Sequence, residues 1–105
     1  MLTKFKSYQV AIEFHKECLK LEVPSYLKDQ FYRASSSVAL NLAEGSGKGT
    51  ARDKVRFFFI ALGSLRESQA CLEFIPHTAE MADLADKLGG HIYSLIRSYR
   101  KGLHL

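Results

Sequence analysis

Residues 41–50 read Asn-Leu-Ala-Glu-Gly-Ser-Gly-Lys-Gly-Thr and separate two segments of helical periodicity. The stretch looks like a phosphate-binding P-loop, which requires the pattern G-x-x-x-x-G-K-[ST] after a buried strand. Here Lys48 is followed by Gly49 rather than by Ser or Thr, and Leu42 stands where the first glycine belongs. The preceding residues 31–43 have apolar side chains at helical rather than strand spacing. These three departures exclude a P-loop NTPase.

The same stretch has the features of a connection between two helices. Gly45 suits the left-handed conformation that often follows the last residue of a helix. Thr50 and Asp53 are spaced as a capping box, in which the threonine oxygen accepts from the backbone N–H of the acid and the acid side chain reaches back. We therefore predict that one helix ends at about Glu44 and that the next one begins directly after the threonine.

Apolar residues recur at steps of three and four through the whole chain, and no segment alternates with period two. The pattern predicts an all-α protein with helices over about residues 4–22, 25–44, 51–75 and 79–101, the second of them capped by Ser25. Short connections favour an up-down-up-down four-helix bundle that forms a single domain over residues 1–105.

The predicted inward faces of the first, second and fourth helices are defined by this spacing. For the first helix they are Phe5, Tyr8, Ala11, Ile12, His15 and Leu19; for the second, Leu27, Phe31, Ala34, Val38 and Leu42; for the fourth, Met81, Leu84, Ala85, Leu88, Ile92, Leu95, Ile96 and Tyr99.

The pair Gly89-Gly90 interrupts the fourth helix with residues that each cost about 1 kcal/mol relative to Ala in a helix interior. One interpretation is a break in the helix at this point. The other is a site where a neighbouring helix packs closely on bare backbone, and the unbroken apolar phase from Leu88 to Ile92 favours it.

The third helix has two apolar stripes, about a quarter turn or more apart. The first comprises Val55, Phe58, Leu62, Leu65 and Leu72, and the second Phe57, Ile60, Ala61, Ser64, Cys71 and Ile75. A four-helix bundle needs only one such face, and the three phenylalanines at 57–59 cannot all point into one core. We therefore predict homo-oligomerisation through the second stripe, with Phe57, Ile60, Ala61 and Ser64 at the interface.

Length and composition indicate one small folded domain. Of 105 residues, 47% are hydrophobic and 25% charged, which is ordinary for a globular protein. No apolar run approaches the roughly 18 residues of a membrane span, and residues 1–5 do not begin a signal peptide, so we expect a cytoplasmic protein. Cys18 and Cys71 form no C-x-x-C pair and are expected to be buried free thiols.

Few residues are arranged for catalysis, so we predict a protein that is not an enzyme and has no cofactor, metal or small-molecule substrate. Glu44 has no second carboxylate nearby in the sequence, and the serines at 35–37 have no neighbouring histidine. His15 and Cys18, three residues apart, could share a metal, but such a pair is more often simply packed.

A polar stripe follows the second helix, because Arg33, Ser37, Asn41 and Glu44 are separated by steps of four, four and three. Its members can form a polar seam that fixes the register of neighbouring helices, or a solvated face. A binding stripe is the other alternative.

Basic residues form two clusters in a chain of net charge +4 and isoelectric point about 9.2. The clusters are Lys48, Arg52, Lys54 and Arg56 at the start of the third helix, and Arg97, Arg100 and Lys101 near the end of the fourth. In an up-down-up-down bundle both lie at one end, and a symmetric oligomer would repeat them as a basic ring. This placement favours polyanion binding, and the alternative is ordinary surface charge.

Three segments resemble a known family. Residues 41–45 match the N-[IL]-A-E-G core of the four-helix-bundle proteins encoded in 23S rRNA intervening sequences, with Arg33 and Ser37 at the matching upstream positions. Residues 56–67, which include Gly63, are similar to that family's R-F-x-x-x-A-x-G-S-L-x-E segment, and residues 92–98 resemble its closing L-x-x-L-I-x-S-L run.

The resemblance implies a four-helix bundle that assembles as a ring-shaped homopentamer. The family includes the accessory variability protein of diversity-generating retroelements, in which a basic surface binds nucleic acid and a partner reverse transcriptase. The chain departs from many relatives at Ala39-Leu40, where they have a proline, and in the short segment 74–78. We therefore expect a non-enzymatic homo-oligomer that binds RNA or DNA weakly through its basic end. The alternative is a structural or adaptor oligomer that binds a protein such as a reverse transcriptase.

Overall fold

The computed structural model of the protein describes residues 2 and 5–101. It contains four helices in the order α1 (Lys6–Cys18), α2 (Lys28–Ser46), α3 (Ala51–Leu72) and α4 (Ala79–Arg100), and the described residues include no strand. Each helix packs on the next in sequence, and α1 closes the bundle against α4. The bundle measures 43 × 25 × 21 Å. The all-α four-helix prediction is confirmed.

The connection between α1 and α2 is longer than the sequence indicates. α1 ends at Cys18 rather than at residue 22, and α2 begins at Lys28 rather than at residue 25. A turn closed by the N–H of Leu27 donating to the carbonyl oxygen of Pro24 precedes α2, and Ser25 does not cap it. The side chain of Leu27 is buried, so this turn is held by core packing rather than by a polar cap.

The end of α2 corrects the role predicted for Gly45. The helix continues to Ser46, and its C-cap Gly47 has a right-handed φ of −87°, so no left-handed residue ends it. Gly45 is helical and buried against α3. A Cβ at this position would lie 2.7 Å from Cε1 of Phe58 and 3.0 Å from Cβ of Phe57, so α3 can approach α2 this closely only where no side chain intervenes.

The predicted cap of α3 is half formed. The backbone N–H of Asp53 donates to the Thr50 hydroxyl oxygen at 3.2 Å. Among the described residues the Asp53 carboxylate makes no return bond to the threonine. One side-chain bond and the extended backbone of Thr50 are therefore enough to start the helix here.

The core is filled by the inward faces of all four helices. The predicted face of α2 is buried throughout, and that of α4 is buried except for the half-buried Leu84 and Leu95 and the more exposed Tyr99. The predicted face of α1 was wrong by roughly a third of a turn: the buried residues are Ser7, Val10, Ala11, Phe14 and Cys18, while Leu19 is 50% exposed. Two apolar stripes compete on α1, and the one with the smaller side chains lies deepest in the bundle.

Helix α4 runs without a break through Gly89-Gly90. The predicted alternative of a broken helix is therefore wrong. Close backbone packing is also not what these glycines provide: a Cβ on Gly89 would meet Leu65 at an ordinary 3.5 Å, and one on Gly90 would meet nothing within 4 Å. The apolar face on either side of the pair is sufficient to keep α4 helical.

The second stripe of α3 is partly covered by α2 within the chain. Ala61, Cys71 and Ile75 are buried, and Phe57 and Ser64 are half-buried. Ile60 remains 42% exposed. The apolar surface left for another molecule on this side is thus narrower than the sequence suggests, and Ala61 contributes none of it.

Candidate functional site

A small polar cluster joins α2 to α3. The hydroxyl oxygens of Ser37 and Ser64 are 2.9 Å apart, and Nδ2 of Asn41 donates at 2.9 Å to both the hydroxyl and the carbonyl oxygen of Ser37. Gly45 lies one turn further along α2, against the ring of Phe58 and the Cβ of Phe57 on α3. These residues set the register of the two helices, as the seam alternative for the polar stripe requires.

The other two members of that stripe, Arg33 and Glu44, stay at the surface. Arg33 pairs with Asp29 one turn earlier in α2, and Glu44 pairs with Lys48 at 3.1 Å. Within the described residues neither reaches another helix. Exposed pairs of this kind contribute little to stability, about 0–1 kcal/mol each. Arg33 and Glu44 are therefore free to contact another molecule at low cost.

The start of α3 and the end of α4 lie side by side. Nζ of Lys54 is 5.8 Å from the centroid of the Tyr99 ring, and the guanidinium of Arg100 is 5.7 Å from that of Phe59. The ring of Tyr99 also contacts that of Phe58, with centroids 5.8 Å apart. The two predicted basic clusters therefore share one end of the bundle, which we call the basic end.

Three members of the first basic cluster, Lys48, Lys54 and Arg56, also have partners inside the chain. Nζ of Lys48 and the guanidinium of Arg56 lie 4.8 and 4.7 Å from the centroid of the Phe57 ring. Nζ of Lys54 donates to the carbonyl oxygen of Ser46 at 2.8 Å. Lys54 thus ties α3 to the end of α2, a role that its place in the sequence does not reveal.

The remaining basic side chains point outward. Arg52, Arg97, Arg100 and Lys101 are exposed, and no described residue pairs with the charge of Arg52, Arg97 or Lys101. An open groove of about 710 Å³ lies among residues 94–101 on the surface of α4. These exposed side chains are accessible to an anion.

Charge is distributed unevenly along the bundle. The half that holds the 47–50 loop has only two carboxylates, Glu44 and Asp53, against eight described cations, which are Lys6, Lys48, Arg52, Lys54, Arg56, Arg97, Arg100 and Lys101. The opposite half has six cations against nine carboxylates, which are Glu13, Glu17, Glu22, Asp29, Glu67, Glu73, Glu80, Asp83 and Asp86. The small net charge therefore hides a strongly basic half and a mildly acidic one, a separation that composition alone did not indicate.

A sequence model described as the 23S rRNA-intervening sequence protein matches residues 3–100. The chain belongs to this family. The match covers all four helices and confirms the resemblance drawn from residues 33–45, 56–67 and 92–98. Comparisons with curated proteins and with solved structures gave no significant match.

Two of the family-motif residues have contrasting environments in this family member. Gly45 is buried and sterically required, whereas Gly63 is exposed on α3 with nothing within 4 Å of where its Cβ would be. The family motif therefore combines residues that build the α2–α3 contact with residues on its outer surface.

A histidine and a serine that are distant in the sequence meet between α1 and α2. Nδ1 of His15 is 2.7 Å from the hydroxyl oxygen of Ser35, so the expectation that these serines lack a nearby histidine was wrong. Ser35 is fully buried, and burial raises the pKa of the neighbouring Cys18 thiol to about 12. A substrate cannot reach this hydroxyl, and the thiol stays protonated, so the contact joins helices rather than forming a reactive centre.

The described residues hold no group of three or more His, Cys, Asp or Glu side chains placed to bind a metal ion. None of the four helices combines the length and apolar character needed to span a membrane. Both cysteines are free and buried.

Proposed function

We propose that this family member is a non-enzymatic homo-oligomer that binds RNA or DNA through its basic end. The observation that carries the proposal is the separation of charge along the bundle, with eight described cations and two carboxylates in one half. Phosphate contacts by Lys and Arg release condensed counterions, which supplies most of the free energy of sequence-independent binding. The acidic half is repelled by the same polyanion, so the charge separation also orients the protein.

The cations of the basic end differ in the role we assign to them. Arg52, Arg97 and Lys101 make the main phosphate contacts because no intramolecular partner competes for their charge. Lys48, Arg56 and Arg100 already lie over phenylalanine rings, which hold their side chains in place while the charges stay near the surface. Lys54 acts mainly within the bundle, through its bond to Ser46.

Self-association through the outer side of the α2–α3 contact supports the same proposal. Leu40 on α2 is 66% exposed, Ile60 on α3 is 42% exposed, and Phe57 is half-buried beside them. A closed ring that buries these side chains would place the basic ends of all subunits on one face and multiply the phosphate contacts. Five subunits is the number that the family resemblance implies.

The test is a pair of charge-matched triple variants. Arg52→Ala/Arg97→Ala/Lys101→Ala removes three exposed cations from the basic end, and Lys16→Ala/Lys28→Ala/Lys87→Ala removes three from the acidic half. We expect the first variant to bind RNA and duplex DNA more weakly and with a shallower salt dependence, by about 0.7–0.9 in the slope per lost phosphate contact. The second should bind like the wild type. Equal loss in both variants, or no measurable binding at low salt, would refute the proposal.

An adaptor that binds another protein is the second candidate, favoured by the exposed Leu40 and by Tyr26, which is 75% exposed in the turn before α2. This function would be preferred if the protein formed an oligomer by light scattering but bound no nucleic acid at low salt.

A further inference from the structure

Two exposed aromatic rings, one on α3 and one on α4, lie among arginines at the border between these two helices. Phe59 is 42% exposed and Tyr93 is 51% exposed. A Cβ on Gly89 of α4 would meet Leu65 and Arg66 of α3, and the guanidinium of Arg100 lies 5.7 Å from the centroid of the Phe59 ring, so these contacts define the α3–α4 border. Phe59 on α3 and Tyr93 on α4 therefore lie away from the polar contact between α2 and α3.

Helical spacing brings the arginines onto the same border. Arg52 precedes Phe59 by seven residues on α3, and Tyr93 precedes Arg97 and Arg100 by four and seven residues on α4. Seven residues are two turns, so each stripe extends about 10 Å along its helix. We call the five residues Arg52, Phe59, Tyr93, Arg97 and Arg100 the arginine–aromatic face.

We infer that the arginine–aromatic face binds single-stranded nucleic acid, with unpaired bases stacked on Phe59 and Tyr93 and phosphates held by the three arginines. The inference rests on the proposed function and adds the class of nucleic acid that the basic end selects. Single-strand-binding surfaces combine a basic track with aromatic platforms, because every base has a π-face that can stack on a ring. Phosphate binding alone would need the arginines but gives no reason for two large apolar rings in water between them.

The same chemistry disfavours a duplex. In a double helix the bases are already stacked on one another, and only phosphates and groove edges meet a convex helical surface. A duplex therefore gains the arginine contacts but leaves both rings unused. A single strand gains both, so the face discriminates by stacking and not by base sequence.

The experiment uses the absence of tryptophan from the chain. Phe59→Trp introduces one fluorophore into the arginine–aromatic face, and Phe74→Trp introduces one at an aromatic position that is 62% exposed near the opposite end. Both are titrated with single-stranded DNA and RNA of about 15 nucleotides and with the same strands as duplexes. We expect quenching of the Phe59→Trp protein by the single strands only, and no change for the Phe74→Trp protein. Whichever of the two single strands, DNA or RNA, binds more tightly is the preferred ligand.

Affinity supplies the second readout. Phe59→Ala/Tyr93→Ala should weaken single-strand binding by about tenfold or more while leaving duplex binding within about twofold. The control Phe74→Ala/Tyr26→Ala removes one phenylalanine and one tyrosine that are more exposed still, and it should leave both affinities unchanged. Circular dichroism establishes that each variant is folded.

The outcomes separate the two claims. If wild-type protein binds single strands and duplexes equally, and the Phe59/Tyr93 variant loses nothing, the stacking inference is overturned while the proposed function stands. If neither form of nucleic acid binds at low salt, the proposed function itself fails, and the inference fails with it.

Discussion

At the scale of single residues, two glycines that both lie within helices have opposite steric surroundings. Gly45 lies against the ring of Phe58 and the Cβ of Phe57, and Gly90 faces open space. The sequence indicated that Gly45 matters, because it belongs to a recognisable motif. It could not indicate why, since the steric demand comes from a helix that follows the loop.

Substitution of these glycines by alanine should therefore change stability in opposite directions. Gly45→Ala inserts a methyl group into a space that is already filled and should lower the free energy of unfolding by about 1–3 kcal/mol. Gly90→Ala adds helix propensity without a clash and should raise it by about 0.5–1 kcal/mol. Urea unfolding at one fixed protein concentration measures both, and each variant is the control for the other. A stabilised Gly45→Ala protein would show that the α2–α3 contact is looser than described.

His15 provides a residue-scale prediction of pH dependence. Burial lowers its pKa below the ordinary value of 6.5. As the pH falls below about 6.5, the unfolded chain takes up a proton here that the folded chain does not, so the free energy of unfolding should decrease. Above that pH His15 is neutral in both the folded and the unfolded chain, so its titration no longer lowers the free energy of unfolding.

The measurement is urea unfolding of the wild type and of His15→Gln between about pH 5 and pH 8. The variant loses the contact with Ser35 and should be less stable at the upper end of this range. Its stability should also fall less steeply on acidification. Parallel pH profiles for the two proteins would contradict the assignment of this titration to His15.

At the scale of secondary structure, periodicity predicted the number and order of the helices but not which stripe of each was inward. For α2 and α4 a single apolar stripe made the answer unambiguous, and it is confirmed. For α1 two stripes were available, and only the packing of α2 and α4 decides between them. The predicted ends of α2 were wrong. A buried Leu27 stands at its start instead of a polar cap, and Gly45 is a buried helical residue instead of a left-handed one after its end.

Substitution of the consecutive phenylalanines of α3 tests which side of this helix faces the core. Phe58 is 1% exposed and packs on Phe5 and Tyr99, so Phe58→Ala should lower the free energy of unfolding by about 3–5 kcal/mol. Phe59→Ala, at 42% exposure, should change it by no more than about 0.5 kcal/mol. Thermal or urea unfolding distinguishes the two variants. Similar losses for both would mean that α3 is rotated from the orientation described.

At the scale of the whole molecule, family membership and fold were accessible from the sequence, whereas the separation of charge was not. The two basic clusters were visible along the chain, and up-down-up-down order was enough to place them together. The acidic half became apparent only from the structure, because its nine carboxylates are spread over all four helices and the first and third connections. The arginine–aromatic face was hidden for the same reason, since it needs the register of α3 on α4.

Assembly is the whole-molecule property that the exposed α2–α3 surface predicts. Leu40→Asp/Ile60→Asp places two charges where we propose that subunits meet, and it should convert the oligomer to monomers without loss of helix content. Leu19→Asp, at a side chain on α1 that is 50% exposed, is the matched control and should leave the assembly intact. Light scattering gives the masses and circular dichroism the helix content. An oligomer that survives the double substitution must use another surface.

The cavity of about 190 Å³ that Leu2, Phe5 and Tyr99 line together has a practical consequence for protein engineering. Leu2 and Tyr99 lie far apart in the sequence but meet there, so we expect a tag attached beside either residue to lie close to the basic end and to obstruct any ligand of that end. The turn at 73–78 lies at the opposite end of the bundle. A circular permutant opened in that turn would carry its tags on the acidic half, away from the basic end.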